Sequence, residues 1–178
     1  PDAQSESRIV NSTFQIQLQI DKPGFIRLLS KGMPKTYFYA APGDTIQVTF
    51  ITDSTGVTKT IYTGANAAGN TLLAGNKMND RNYAEGKITA ILQSGKPVAQ
   101  IFEHLNEEAE KNTRPLHIYF ERRKISAGCY EAIATEIEQK MLFWASTYCR
   151  NYFENNKDTT IVAKQRRTDM QQIVQRLF

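Results

Sequence analysis

Two cysteines, two histidines and one glycine-rich segment are where this sequence could hold chemistry. Cys129 and Cys149 fall in one predicted helix. At ~1.5 Å rise per residue, twenty positions separate their sulfurs by about 30 Å, beyond disulfide reach. No C-x-x-C occurs in the 178 residues, so neither a redox dithiol nor a zinc ribbon can be built from this chain alone. Both thiols read as small buried hydrophobes. Gly64-Ala-Asn-Ala-Ala-Gly69-Asn70-Thr71 has the spacing of a phosphate-binding P-loop and follows a predicted strand, but Asn70 stands where a lysine would reach the terminal phosphates. Without that ammonium the segment reads as a glycine-permitted turn.

His104 shares a predicted helix with Glu103, Glu107 and Glu108, and an imidazole and a carboxylate one turn apart can begin a divalent-ion site. Two ligands do not complete one. His117 falls in a different predicted helix, the H-E-x-x-H spacing is absent, and no G-x-S-x-G elbow accompanies either histidine. The expectation is a chain with no catalytic residue, no metal and no cofactor, hence no enzyme by itself. Arg122-Arg123-Lys124 and Lys164-Gln165-Arg166-Arg167 lie near predicted helix ends, where cations complement the helix dipole, and neither has the aromatic interleaving of a single-strand binder. Tyr37 and Tyr39 share one face of a strand, with Phe38 on the other. An open tyrosine face would stack on a sugar ring or a partner; packed inward, the same residues would be core. Asn11-Ser12-Thr13 matches the N-glycosylation acceptor pattern.

The elements that must position these residues differ between the two halves. Phe14, Ile16, Leu18 and Ile20 alternate with glutamines, and Ile46, Val48 and Phe50 alternate with Thr45, Gln47 and Thr49, the period of half-buried strands. Residues 25–29, 36–40 and 57–63 supply three more short strands, separated by turns such as Pro42-Gly43-Asp44 and Asp53-Ser54-Thr55-Gly56. Five strands about ten residues apart predict an antiparallel sandwich or barrel. The Gly- and Asn-rich stretch 64–82 reads as a connector with a short helix around Leu72 and Leu73, and 83–95 fits strand or helix equally.

From Pro97 the period becomes helical through Val98, Ile101, Phe102, Leu105 and Ala109. Arg114-Pro115 is expected to start another helix running to about Lys124. Ser126 is the expected N-cap of the longest one, striped by Tyr130, Ile133, Ile137, Met141, Trp144, Tyr148 and Tyr152. A final helix carries Met170, Ile173, Val174 and Leu177.

Composition follows the same division. Only Glu6 of the glutamates precedes residue 80, whereas the strand-favouring threonines concentrate before it. Strands first and helices afterwards point to α+β, away from an alternating parallel fold. The net charge of +4 is spread over both halves rather than gathered in a stripe, so no nucleic acid is expected as partner. No uncharged apolar run approaches the ~20 residues needed to cross a bilayer.

Residues 14–73 bring together an alternating strand, Tyr37-Phe38-Tyr39-Ala40-Ala41, Pro42-Gly43-Asp44 leading into Ile46-Gln47-Val48, then Ile61-Tyr62-Thr63-Gly64, Asn70 and Leu72-Leu73. This arrangement is similar to the N-terminal β-sandwich domain of envelope thiol-disulfide oxidoreductases of the TlpA/ResA type. The resemblance implies export to the periplasmic side of a cell envelope, often as a lipoprotein anchored upstream, and a thioredoxin domain bearing the C-x-x-C. That motif is missing here, so no catalytic residue carries over.

The expected architecture is therefore α+β: a disordered tail over 1–7, an antiparallel β-sandwich over 8–64, a connector over 65–95 and a helical sub-domain of about four helices over 96–178. The expected role is that of a non-catalytic accessory domain, positioning a thioredoxin domain or contacting another protein, a second copy included. The alternative is a carbohydrate- or ligand-binding envelope module using Tyr37 and Tyr39.

Overall fold

The computed structural model describes residues 19–29, 35–155 and 161–177. Four of the predicted strands form: β1 (Gly24–Leu28), β2 (Thr36–Ala40), β3 (Ile46–Thr52) and β4 (Thr58–Gly64). Residues 14–18 of the first predicted strand, the 1–7 tail and the 11–13 acceptor triplet lie outside the described residues. β1 pairs antiparallel with β2, Phe25 opposite Tyr39, and β3 with β4, Val48 opposite Tyr62.

The expected β-sandwich does not form. Among the described residues the strands make two separate two-stranded ribbons, and the architecture is α+β with small sheets and five helices. The alternation along β2 is real, but only its even face meets the second ribbon, where Phe38 and Ala40 pack with Tyr62. Its odd face, Tyr37 and Tyr39, meets helices. Nor does β2 gain another strand beside Tyr39, because the Asn70 side chain bonds the backbone of that residue.

Residues 65–95, read as a connector, hold α1 (Ala67–Gly75), a 3-10 turn (Lys77–Asn79) and α2 (Arg81–Leu92). The ambiguity over 83–95 resolves as helix, started by Asp80, whose carboxylate accepts from the N–H groups of Asn82 and Tyr83. Next comes α3 (Val98–Glu121), which runs straight through Pro115, so the expected new helix there is a continuation. A proline in mid-helix forfeits one backbone hydrogen bond, and burial of Leu116 on the packed side of α3 holds the helix together across it. Ser126 caps α4 (Ala127–Asn155) as expected, its hydroxyl accepting from the Cys129 N–H at 3.2 Å. The chain ends in α5 (Ile161–Leu177).

The long helices α3 and α4 each serve two cores. At one end Leu116, Cys129 and Ile133 pack with Tyr39 of β2 and Leu73 of α1. At the other, Ile101, Leu105, Met141 and Cys149 pack with α2 and with Met170 and Ile173 of α5. Along α4 the buried positions are Cys129, Ile133, Ile137, Met141, Ala145 and Cys149, every fourth residue. At 3.6 residues per turn each such step advances about 40°, so the buried line winds about 200° around the helix. A straight stripe would have kept one face buried throughout; here the positions in the two cores, Cys129, Ile133 and Ile137 in one and Met141, Ala145 and Cys149 in the other, are centred about 120° apart around the helix.

Candidate functional site

The P-loop-like segment is a structural junction. Gly64 sits at φ +92° with its Cα against the strand before it, so that a Cβ would lie 2.2 Å from the Thr45 carbonyl oxygen. Asn66 adopts φ 54°, its side-chain Oδ1 accepts from the Ser126 N–H at 2.8 Å, and its side-chain Nδ2 donates to the Asp44 carboxylate at 3.2 Å. Gly69 lets α1 approach α4: a Cβ there would stand 2.8 Å from Cys129 Sγ. Asn70, fully buried, accepts from Tyr39 N–H at 2.8 Å and donates to Tyr39 C=O at 3.0 Å. Asn66, Gly69 and Asn70 thus tie α1 to β2, to Asp44 and to the start of α4, while Gly64 packs against Thr45 and the Thr71 hydroxyl donates within α1 to the Ala67 carbonyl.

The thiols are held far from reactivity. Both are free, with no exposed surface, at opposite ends of α4. Burial pushes Cys129 up to about 12, helped by the nearby charge of Asp44, and Cys149 up to about 11 against the opposing influence of Arg166. The Cys149 Sγ lies 3.7 Å from Met170 Sδ inside the core.

The carboxylates around His104 are divided between two sides of α3. His104 accepts from Lys96 Nζ at Nε2 (2.7 Å) and donates from Nδ1 to the Gln100 carbonyl (2.6 Å). Glu108 is buried instead, 3.5 Å from Lys87 Nζ of α2, with Asn112 donating to it at 3.3 Å. His117 pairs with Glu121 at 3.2 Å near the other end of the helix. Among the described residues no three His, Cys, Asp or Glu side chains converge.

Tyr37 and Tyr39 do share a face, and that face is covered. Tyr39 is 2% exposed. Tyr37 is half-buried, stacked on Phe25 with centroids 4.7 Å apart and with Lys140 Nζ 5.7 Å from its ring. Burial raises both phenols above their ordinary value. Of the basic clusters, Arg122-Arg123-Lys124 forms the exposed turn between α3 and α4, with Arg123 at φ 54°, and Arg166 donates to the Leu92 carbonyl at the C-terminus of α2.

What the sequence reading missed is a groove between α3 and α4, about 510 Å³ in volume. Phe102, Leu105, Ala109, Met141, Leu142 and Ala145 provide its apolar lining. Glu110 from α3 and Glu138 from α4 are the only charged side chains in that lining. The groove's signal was present in the adjacent apolar pairs, Ile101 with Phe102 and Met141 with Leu142. Neighbours about 100° apart on a helix face partly different ways; Ile101 and Met141 are buried, while Phe102, packed on the same core, and Leu142 are partly open at the groove.

No helix among the described residues is long and apolar enough to cross a membrane. Comparison with protein-family models, with curated proteins and with solved structures gives no match.

Proposed function

We propose that the chain is a non-catalytic interaction module whose α3–α4 hairpin holds a partner protein. The observation that carries this reading is the groove between α3 and α4, where Leu142 is left 37% exposed beside the core residues Leu105, Met141 and Ala145. Apolar side chains left open between two helices are surface of the kind that partners cover. The inert state of both thiols and the structural engagement of Asn70 support a role in contact rather than in turnover.

The resemblance of residues 14–73 to the N-terminal domains of envelope thiol-disulfide oxidoreductases supplies the setting, although the sandwich expected from it is replaced by two ribbons. In that setting the partner is a thioredoxin-fold domain encoded with this chain and exported with it. The test is the reading frame beyond Phe178, followed by titration of the isotopically labelled chain with the domain encoded there. A frame continuing into a C-x-x-C domain that perturbs the amide spectrum supports the proposal. A frame that stops, or a domain that leaves the spectrum unchanged, overturns it.

A further inference from the structure

We infer that the basic end of α3 and the turn after it form a docking surface for an anionic lipid bilayer, a role that goes beyond the proposed protein contact and does not depend on it. Divided by halves of the sequence the +4 charge is even; followed along the fold it is not. Residues 111–124 hold five of the 22 lysines and arginines, Lys111, Arg114, Arg122, Arg123 and Lys124, against one of the 18 acids, Glu121. The rest of the chain carries 17 of each sign, so the whole excess sits in these fourteen residues. All five cations are exposed and none is in an ion pair among the described residues, while Glu121 pairs with His117. The other basic cluster differs, since Arg166 donates to the Leu92 carbonyl and Asp169 follows within a turn.

The helix dipole accounts for only part of this. Arg122, Arg123 and Lys124 close the C-terminus of α3, where cations are favoured, but that effect fades within the last turn, and Lys111 and Arg114 lie two to three turns earlier. Arg123 also stands at φ 54°, where glycine is the less strained residue, so a cation is kept there against the backbone preference. By helix rotation Lys111, Arg114, Ile118 and Arg122 fall within about 80° of arc along about 16 Å, a line that a flat surface can meet. Ile118, 38% exposed, stands within that line, and an aliphatic group among cations suits the boundary between headgroups and acyl chains. A single-stranded nucleic acid would call for open aromatic faces; Phe120 and Tyr130 are instead stacked on each other at 4.9 Å, and Tyr130 meets the His117 ring at 5.8 Å. Glu103, Glu107, Glu108 and Glu110 make the earlier half of α3 acidic, and Glu107 ends the basic face one turn before Lys111. Glu110 is about 18 Å along the axis from Arg122, beyond the ~10 Å screening length at 0.1 M salt, so the helix docks by its basic end.

The probe is a phosphatidylcholine vesicle containing one-third phosphatidylglycerol, with pure phosphatidylcholine as control. Co-sedimentation in ~0.1 M salt should show saturable binding to the first and none to the second. K111Q with R114Q and K124Q removes three cations, each worth about fivefold at an anionic surface, and should weaken binding about a hundredfold. K22Q with R27Q and K59Q makes the same change in net charge at exposed positions elsewhere and should weaken it less than about fivefold. I118S should cost about fivefold through lost insertion of a part-exposed side chain. Amide spectra of the unmodified chain with anionic bicelles need no variant: shifts should concentrate in residues 111–124 and spare the two ribbons. Absence of vesicle binding, equal losses from the two triple variants, shifts confined to other residues, or a single-stranded oligonucleotide that outcompetes the vesicles and is indifferent to I118S would each overturn the inference. Failure of a partner protein to bind would sink the proposed function and leave this surface standing.

Discussion

The Asn70 side chain closes the outer edge of β2 by bonding both backbone groups of Tyr39, accepting from the N–H at 2.8 Å and donating to the C=O at 3.0 Å. Tyr39 lies opposite Phe25 in the β1–β2 ribbon, so a helix residue occupies the place that another strand would take on the far side. The carboxamide is a peptide-group mimic with one donor and one acceptor in the right order.

Asn70→Ala should therefore orphan two buried backbone groups at once. The expected loss is about 2–4 kcal/mol, from ~1–3 kcal/mol for each unsatisfied group, read as a lower urea midpoint at unchanged slope. A loss under ~0.5 kcal/mol would mean the bond pair contributes nothing beyond what water supplies.

Gly69→Ala sets helix propensity against packing. Alanine gains about 1 kcal/mol over glycine in a helix interior, but its Cβ would meet Cys129 Sγ at 2.8 Å and Ile125 and Ile133 methyls at 3.2 Å. Overpacking of this kind costs about 1–3 kcal/mol, so net destabilisation is expected. Adding Cys129→Ala should recover part of it, and a double-mutant cycle with no coupling would refute the contact.

Alkylation and pH should report the thiols. With folded values near 12 and 11, both sulfurs are protonated at neutral pH and should resist iodoacetamide until the chain is unfolded. In the unfolded chain they titrate near 9, so above that pH the unfolded state binds fewer protons than the folded one. Stability is thus fully present below about pH 9 and declines as pH rises toward 11 and 12. Buried phenols shifted the same way, Tyr62 among them, add to the decline. A denaturation midpoint that stays flat from pH 8 to about 11 would contradict the assignment.

Lys87→Met should cost more than Glu108→Gln. Removing the lysine leaves a buried carboxylate with Asn112 as its remaining side-chain partner, whereas glutamine removes the charge and keeps the shape. Because the Lys87 side chain is 39% exposed, water screens the pair, and the expected losses are modest: about 1–2 kcal/mol and under ~1 kcal/mol. Thermal melts giving the reverse order would show that the glutamate is not held by its partner.

Local signals were legible and their assembly was not. Period-two alternation located β3, turn residues bracketed β1, β2 and β4, and Ser126 marked the start of α4, because these depend on neighbours in sequence. What the outer edge of β2 meets is decided by Asn70, thirty-one residues away, and what its tyrosine face meets by side chains of α1, α3 and α4. Pro115 misled for the same reason: its local cost is real, and contacts from other elements outweigh it. The thiols read correctly as buried. The groove escaped because a helix with two adjacent apolar faces resembles one with a single wide face until its neighbours are placed.

The winding of the covered line around α4 has a mechanical consequence. A rod gripped on faces about 120° apart at its two ends cannot swing straight out of both seats, because the direction that frees one end does not free the other. Withdrawing the helix therefore means loosening the ribbon end and the bundle end together.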